Sequence, residues 1–220
     1  MAYTVLGSPI SPFVRKVMVF LREKSVAFEH EDVNPFAPPE GWRTVSPLGR
    51  IPAFRHDDRV VNDSSVICRY IEQCEPTPAL YPRDPYACAR AEWIEEYMDG
   101  GLQPVAGNKV FLPRVLGPLL GRGEPDEAAV EKAIDEEVLP LLDYLEAQLT
   151  GDYFVGNTLT IADVAMGSGF VNLRLAGFVP AADRHPKLRA FVKRMHARPS
   201  FAGVITPVVD LIGKRWAALD

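Results

Sequence analysis

Residues 7–17 read GSPISPFVRKV and join the end of a strand to the start of a helix. The preceding YTVLG (3–7) is rich in strand-forming residues and ends in Gly, which predicts a short strand. Pro12 suits a first helical turn because its missing N–H would have no intrahelical partner there. Ser11 is therefore the predicted N-cap. Apolar residues recur at helical spacing up to Lys24, and the charged residues are assigned to the polar side of this helix: Arg15, Lys16, Arg22 and Glu23.

The rest of the first eighty residues predicts a small α/β domain. VAFEHEDV (26–33) alternates like a strand, and IPAFRHDDRVVN (51–62) predicts a hairpin that turns at HDDR. Between them lies the turn-rich loop 34–49, with room for one turn of helix. SSVICRYIEQC (64–74) predicts a helix that begins at Asp63 or Ser64. The predicted order is β-α-β-loop-β-β-α.

The second part of the chain is predicted to be all-helical. EPTPALYPRDP (75–85) has four prolines and no apolar period, which favours a linker. Helical periodicity returns beyond it, and strand signals are nearly absent. We therefore assign residues 1–76 to the α/β domain, 77–86 to the linker and 87–220 to an all-helical domain.

Composition and charge exclude several classes of protein. The chain has 220 residues and a net charge of −5, which argues against a nucleic-acid partner because such proteins present a basic face to phosphates. No apolar run is long enough to span a bilayer. The first ten residues lack the pattern of a signal peptide, and the three cysteines form no C-x-x-C pair, so we expect a cytoplasmic protein with reduced thiols. The four histidines show no metal-ligand spacing, so no metal is expected.

Four motifs, taken in order along the chain, resemble those of the cytosolic glutathione S-transferases. They are SPFVRKV (11–17), SPLGRIPAF (46–54), VNDSSVICRYI (61–71) and GNTLTIADVAM (156–166). The first resembles the serine-type branches (tau, zeta and theta) rather than those that use tyrosine or cysteine. The Ser-Ser-Cys head of the zeta branch is absent, because Pro12 and Phe13 follow Ser11.

The resemblance implies a thioredoxin-like domain (βαβ-ββα) followed by a helical bundle. It also implies a homodimer that acts in detoxification, with glutathione as co-substrate and no permanently bound cofactor. The implied reaction is attack by the glutathione thiolate on a hydrophobic electrophile. A glutathione-dependent isomerase, dehalogenase or peroxidase on the same fold, and a non-catalytic binding or regulatory module, are the alternatives.

Ser11 is the catalytic residue that the resemblance implies. A free thiol has a pKa near 8.5, so lowering it by about two units requires roughly 2.7 kcal/mol of preferential thiolate stabilisation. A helix N-terminus and a hydroxyl donor each supply part of this energy. From GSPISPFVRKV alone, a serine that only caps its own helix is the favoured interpretation, and the resemblance reverses that preference. Ser8 is the second candidate, although a turn residue before Pro9 is the favoured interpretation of it.

Ile51-Pro52 is expected to have a cis peptide bond, which would leave the backbone of Ile51 open to pair with the cysteinyl backbone of glutathione. The alternative is a trans proline that begins an edge strand. Arg50 would bind the glycyl carboxylate, or else is a solvated loop cation. Trp42 and Arg43 could also line the glycyl end.

Asp63 and Ser64 are expected at the γ-glutamyl end of glutathione. The Ser64 hydroxyl and N–H would hold the carboxylate at a helix N-terminus. Asp63 would pair with the ammonium or stabilise the helix start. The family more often has Glu at the position of Asp63, which puts that direct contact in doubt, and a plain N-cap is the alternative.

Thr160 and Asp163 form a predicted capping box, assigned to folding. Removal of the Asp163 side chain is expected to cost roughly 0.5–2 kcal/mol.

The electrophile would lie between Ser11 and the helical domain, against aromatic and apolar side chains. Aromatic residues at helical spacing are more often core, so none is assigned individually. The candidates are Phe13, Trp93, Tyr97, Val105, Lys109 and Phe111.

Overall fold

The computed structural model describes residues 2–219 and divides the chain into two compact units, Met1–Tyr81 and Pro82–Asp220. The division falls inside the segment 77–86 that the sequence favours as a linker. Each unit has its own core, and each is described separately.

The first unit contains four strands and three helices. In chain order they are β1 (Tyr3–Leu6), α1 (Pro12–Glu23), β2 (Glu29–Glu31), α2 (Trp42–Val45), β3 (Ala53–His56), β4 (Arg59–Asn62) and α3 (Ser64–Cys74). The predicted order is confirmed, and the loop 34–49 contains one helical turn, α2. The second strand is shorter than its alternating pattern indicates.

The strands form one mixed sheet in the order β2-β1-β3-β4. β1 is parallel to β2 and antiparallel to β3, and β3 is antiparallel to β4. In this register Leu6 is opposite Ala53, and Ala53 is opposite Asn62. The end of β1, the start of β3 and the end of β4 therefore lie side by side at one edge of the sheet.

Helices cover both faces of the sheet. The Phe54 ring contacts the Tyr70 ring of α3 edge-on, and α3 packs on α1. On the opposite face Trp42 of α2 packs with Leu6 and Ala53. Alternate side chains of β1 and β3 thus belong to two apolar layers, one on each face of the sheet, as expected for strands buried on both sides.

The charged residues of α1 do not all face solvent as the sequence analysis assigned them. Arg22 is exposed and Glu23 is half-buried, but Arg15 and Lys16 are each 1 % exposed. Helix α1 is enclosed on two sides, and the long stems of these residues pack in its core while their heads reach polar partners.

Hydrogen bonds hold the last residues of the first unit to the rest of that unit. Lys24 Nζ lies 2.8 Å from Glu72 Oε2 and donates to the Pro78 carbonyl at 2.6 Å. The carboxylate of Glu72 also accepts the Leu80 N–H. A buried ion pair that satisfies backbone groups explains why the first unit extends to Tyr81 although its last residues read as linker.

The second unit is helical, and residues 82–219 contain no strand. Its α-helices are α4 (Pro85–Glu96), α5 (Gln103–Val105), α6 (Gly117–Leu119), α7 (Glu127–Ala133), α8 (Leu139–Gln148), α9 (Ile161–Leu175), α10 (Pro186–His196) and α11 (Pro199–Ile212). Wider π-helical turns join several of them at Tyr97–Leu102, Ala106–Leu116 and Ile134–Val138, and a 3₁₀ turn follows at Gly213–Arg215. The α/β-then-helical fold implied by the resemblance is confirmed: a thioredoxin-like domain precedes a helical domain.

The longest π-helical segment has a local cause in the sequence. Pro113 lies inside the segment Ala106–Leu116. A proline in a helix removes one N–H donor and clashes with the carbonyl four residues earlier, and a wider turn relieves that clash. The helical path from α4 to α6 therefore continues through a stretch of Gly and Pro that would break a regular α-helix. No helix within residues 2–219 combines the length and apolar character needed to cross a bilayer.

Helix α9 is the centre of the second unit, with all of its residues buried and with α4, α10 and α11 packed on it. The predicted capping box stands at its start. The Asp163 carboxylate accepts the Thr160 N–H at 2.8 Å, the Thr160 hydroxyl at 3.1 Å and the Phe154 N–H at 2.9 Å. Asp163 is 0 % exposed, so the box also anchors the preceding loop in the core.

Asp163→Ala should therefore cost more than an ordinary cap. It leaves two buried N–H groups without an acceptor, each worth about 1–3 kcal/mol, and we expect a loss of about 3 kcal/mol of unfolding free energy. Asp126→Ala is the matched control, because Asp126 caps α7 at an exposed position through one N–H and should cost about 1 kcal/mol. Equal losses in chemical denaturation would contradict this account.

The same carboxyl should give a pH-dependent signature. Burial raises the pKa of Asp163 to about 6 from 3.8, outweighing the hydrogen bonds that favour ionisation. The folded state then binds the proton more tightly, so this contribution to stability is complete below pH 3.8 and is lost as the pH rises through 6. The unfolding free energy of the parent minus that of Asp163→Asn should fall by about 3 kcal/mol between pH 3.5 and 7. A flat difference would contradict the raised pKa.

Candidate functional site

Three loop segments meet at the sheet edge where Leu6, Ala53 and Asn62 are paired. They are residues 7–11 after β1, residues 50–52 before β3, and Asp63 with Ser64 after β4. The pairing brings together the segments that contain Ser11, Arg50, Ile51, Pro52, Asp63 and Ser64, whereas Trp42 and Arg43 lie outside them. We call this region the edge site.

Gly7 allows the first two segments to approach each other. Its φ of 143° is a backbone conformation that other residues rarely adopt. A Cβ added there would lie 2.7 Å from Val14 Cγ2 and 3.0 Å from Ile51 Cβ. Only glycine fits where β1, α1 and the Ile51 loop come into contact.

Ser11 is the N-cap of α1, as predicted, but its hydroxyl does not cap. Its backbone is extended, its carbonyl accepts the Arg15 N–H, and its side chain makes no hydrogen bond within residues 2–219. The first N–H groups of the helix have no intrahelical acceptor either. Ser11 therefore presents a hydroxyl beside a helix N-terminus. The alternative interpretation, a serine that only caps its own helix, requires a capping hydrogen bond that the Ser11 side chain does not form.

Arg15 holds the turn that precedes Ser11. Its Nη1 donates to the carbonyl of Pro9 at 2.7 Å and to that of Ile10 at 2.9 Å. Ser8 belongs to the same turn, with its N–H on the Val33 carbonyl and its own carbonyl accepting the Ser11 N–H. Ser8 thus lies in the turn structure, as its alternative interpretation required.

The peptide bond between Ile51 and Pro52 is cis, as expected from the motif. Neither the N–H nor the carbonyl of Ile51 forms a hydrogen bond within residues 2–219. These two groups are available to pair with an extended peptide in the manner of an added strand.

Asp63 and Ser64 begin helix α3. One oxygen of Asp63 accepts the N–H groups of Ser65 and Val66 at 3.0 and 3.2 Å, so Asp63 is a true N-cap. Its φ of 75° is strained for a residue with a side chain. Ser64 is buried, yet its hydroxyl and N–H have no partner within residues 2–219. Lys16 reaches the same helix start, with its Nζ 3.0 Å from Ser65 Oγ.

The residues proposed for the glycyl end differ in position. Arg50 is exposed beside the cis proline, and its carbonyl accepts the Ser46 hydroxyl at 2.7 Å. Arg43 is exposed and donates to the Pro47 carbonyl. Trp42 is buried in the core, so its assignment to the site is wrong: an indole at this position fills the space beneath the sheet.

Of the candidates for the electrophile, Phe13 belongs to the first unit and is half-buried two residues after Ser11. The others belong to the second unit. Tyr97 stacks on Tyr144, with ring centroids 4.7 Å apart, and burial raises its pKa. Lys109 pairs with Glu137 at 2.7 Å.

The remaining helical candidates lie in ordinary packing environments. Phe111 is buried, which is the core role that the sequence left as its alternative. Trp93 donates to the Tyr144 hydroxyl at 2.7 Å, and Val105 is half-buried. No three His, Cys, Asp or Glu side chains within residues 2–219 cluster as metal ligands.

Arg15 and Lys16 are the residues of the edge site that the sequence analysis missed. A signal for them was present: Val19 and Phe20 lie one helical turn later on the same faces and are fully buried. An apolar residue four positions after each cation indicates that the face of the helix that carries the cation is buried. The edge site thus combines two helix N-termini, two buried cations and an unpaired backbone segment, an arrangement suited to an anionic peptide-like ligand.

Comparison with known families gives two matches. Residues 5–79 match the family described as "Glutathione S-transferase, N-terminal domain", and residues 118–205 match "Glutathione S-transferase, C-terminal domain". The first match contains the whole edge site.

Several relatives match over most of their length. "Uncharacterized GST-like protein YibF" of Escherichia coli is 31% identical over 92% of this chain and 98% of its own. "Glutathione S-transferase 3" of Zea mays is 32% identical over 92% of each chain. "FtsZ-localized protein A" of Caulobacter vibrioides is 26% identical over 96% of this chain and 91% of its own.

A solved structure shares the fold throughout. The crystal structure of a glutathione S-transferase from Rhodospirillum rubrum superposes with a TM-score of 0.89 and covers 99% of both chains at 23% identity.

Gly7→Ala should disrupt the contact on which the edge site depends. Backbone strain and overpacking against Val14 and Ile51 each cost about 1–3 kcal/mol, so we expect a loss of about 3 kcal/mol of unfolding free energy. Gly41→Ala is the matched control: its φ is also positive, at 75°, but nothing lies within 4 Å of an added Cβ. It should cost about 1 kcal/mol. Denaturation of both variants measures the difference, and equal losses would refute the steric argument.

Proposed function

Because the chain belongs to the cytosolic glutathione S-transferase superfamily, we propose that it binds glutathione at the edge site and activates its thiol for attack on a hydrophobic electrophile. The observation that carries this proposal is the Ser11 hydroxyl, which stands at the N-terminus of α1 without a capping hydrogen bond.

Activation means stabilising the thiolate relative to the thiol. The Ser11 hydroxyl would donate a hydrogen bond to the sulfur, and the first N–H groups of α1 would add the positive end of the helix dipole. Both interactions favour the charged form, so the thiol of bound glutathione loses its proton to solvent at a lower pH. On this proposal the protein is a serine-type transferase.

The rest of glutathione would lie along the other two segments of the edge site. The γ-glutamyl carboxylate would accept from the Ser64 hydroxyl and N–H, whose donors have no partner in the described chain. The second oxygen of Asp63 remains for the γ-glutamyl ammonium, since its first oxygen caps α3. The cysteinyl backbone would pair with Ile51 next to Pro52, and the exposed Arg50 would bind the glycyl carboxylate.

In the chemical step the thiolate forms a carbon–sulfur bond with the electrophile. If the electrophile carries a leaving group, that group departs with its bonding electrons, and if it is an activated alkene, a proton from solvent completes the addition. Phe13 supplies an apolar surface next to Ser11, which favours hydrophobic electrophiles. Tyr97, Lys109 and Phe111 are less suited, since their side chains stack, pair with Glu137 or are buried.

A non-catalytic binding module is the second candidate, because one relative is named as an FtsZ-localized protein. The unbonded hydroxyl of Ser11 favours the enzyme, since a docking surface has no need of a donor at that position. Following the family, we further propose a cytoplasmic homodimer with no permanently bound cofactor.

Ser11→Ala should separate activation from binding. We expect the parent to bind glutathione with a thiol pKa about two units below 8.5, and Ser11→Ala to raise that pKa by at least one unit while changing the dissociation constant less than about fivefold. Calorimetric titration measures binding, and thiolate absorbance against pH measures the pKa.

Ser8→Ala is the control, because Ser8 lies in the same turn and should leave the thiol pKa unchanged. A lowered pKa that persists in Ser11→Ala and is lost in Ser8→Ala would transfer the catalytic role to Ser8. Absence of glutathione binding in the parent would reject the enzyme and favour the non-catalytic module.

A further inference from the structure

Arg15 is a buried cation that the proposed chemistry does not use. It lies in the first turns of α1, where helical side chains lean toward the N-terminus, and its guanidinium reaches back past Ser11. There Nη1 donates to the carbonyls of Pro9 and Ile10, at 2.7 and 2.9 Å.

These two carbonyls belong to the residues that join Ser8 to Ser11. The turn has one backbone hydrogen bond within the described chain, from the Ser11 N–H to the Ser8 carbonyl at 3.0 Å. Pro9 has no N–H to contribute a second one. The guanidinium therefore supplies most of the hydrogen bonding that fixes this turn.

The charge of Arg15 strengthens both contacts. Burial lowers the pKa of Arg15 to about 9, which still leaves the guanidinium protonated at neutral pH. Hydrogen bonds from a charged donor are shorter and stronger than neutral ones. The planar guanidinium also fixes the relative direction of its N–H groups, which a lysine ammonium does not do.

We propose that Arg15 is a positioning residue for Ser11: by holding the Pro9 and Ile10 carbonyls, it fixes the direction in which the Ser11 hydroxyl faces the edge site. This inference deepens the proposed function and rests on it. Because Arg15 acts through Ser11, its effect on a bound thiol should vanish when the hydroxyl is absent.

The first test needs no ligand. Amide hydrogen exchange at Ser11 is compared in the parent, Arg15→Met and Arg15→Lys, with Arg22→Met as the control at an exposed position of the same helix. We expect exchange at Ser11 to be at least tenfold faster in both Arg15 variants and unchanged in Arg22→Met. Arg15→Lys keeps the charge and serves as the deciding variant if Arg15→Met does not fold.

The second test measures the thiol of bound glutathione. We expect its pKa to rise by about one unit in Arg15→Lys and Arg15→Met, with the dissociation constant changed less than about threefold. In Ser11→Ala the pKa is already raised, and adding Arg15→Met should raise it no further.

Each remaining outcome decides a separate question. A lowered parent pKa that Arg15→Lys and Arg15→Met leave unchanged overturns the positioning role and leaves the proposed function intact. If the pKa increases are additive when Ser11→Ala and Arg15→Met are combined, the positioning role is overturned in favour of a direct effect of charge. The same holds if Arg15→Lys retains the full lowering of the thiol pKa. If the parent binds no glutathione while Ser11 exchange accelerates in Arg15→Lys, the proposed function fails and the hold of Arg15 on the turn is supported.

Discussion

The antiparallel pairing of β1 with β3 and of β3 with β4 is the constraint on which the edge site depends. It places Leu6, Ala53 and Asn62 in one row, so the loops attached to them emerge together although the first lies far from the other two in the chain. The close approach of Gly7 to Val14 and Ile51 then brings the start of α1 next to the Ile51 loop. Backbone hydrogen bonds, and the close approach that glycine allows at position 7, thus position the groups of the proposed ligand site. The side chains then complete that site.

The electrostatics of the edge site follow from the same geometry. Helices α1 and α3 both begin there, so the positive ends of two helix dipoles face one region. Arg15 and Lys16 add two cations that are almost fully buried. Removing charges from water costs several kcal/mol unless hydrogen bonds compensate, and both side chains donate hydrogen bonds to the two segments that flank the site. The stability of the first unit and the proposed binding of an anionic ligand therefore rest partly on the same residues.

Local signals in the sequence were sufficient for the order of the elements, and the resemblance to the glutathione S-transferases supplied the candidate site residues. Pro12 marked the start of α1, the turn residues HDDR marked the hairpin within 51–62, and Thr160 with Asp163 marked the start of α9. Tertiary packing decided what local signals could not. Trp42 reads as a loop residue but fills the core, and Arg15 and Lys16 read as a polar face but are covered by their surroundings. The length of β2 likewise depends on packing rather than on residue type.

The central claim is that one edge of the sheet binds glutathione through Ser11, Ile51 and Ser64. The most direct measurement is an NMR titration of the parent protein with glutathione, following every backbone amide. The account predicts that the largest shifts occur at Ser11, Ile51, Ser64 and Ser65, and that all four titrate with one dissociation constant. Shifts concentrated elsewhere in the chain, or none at saturating glutathione, would contradict it.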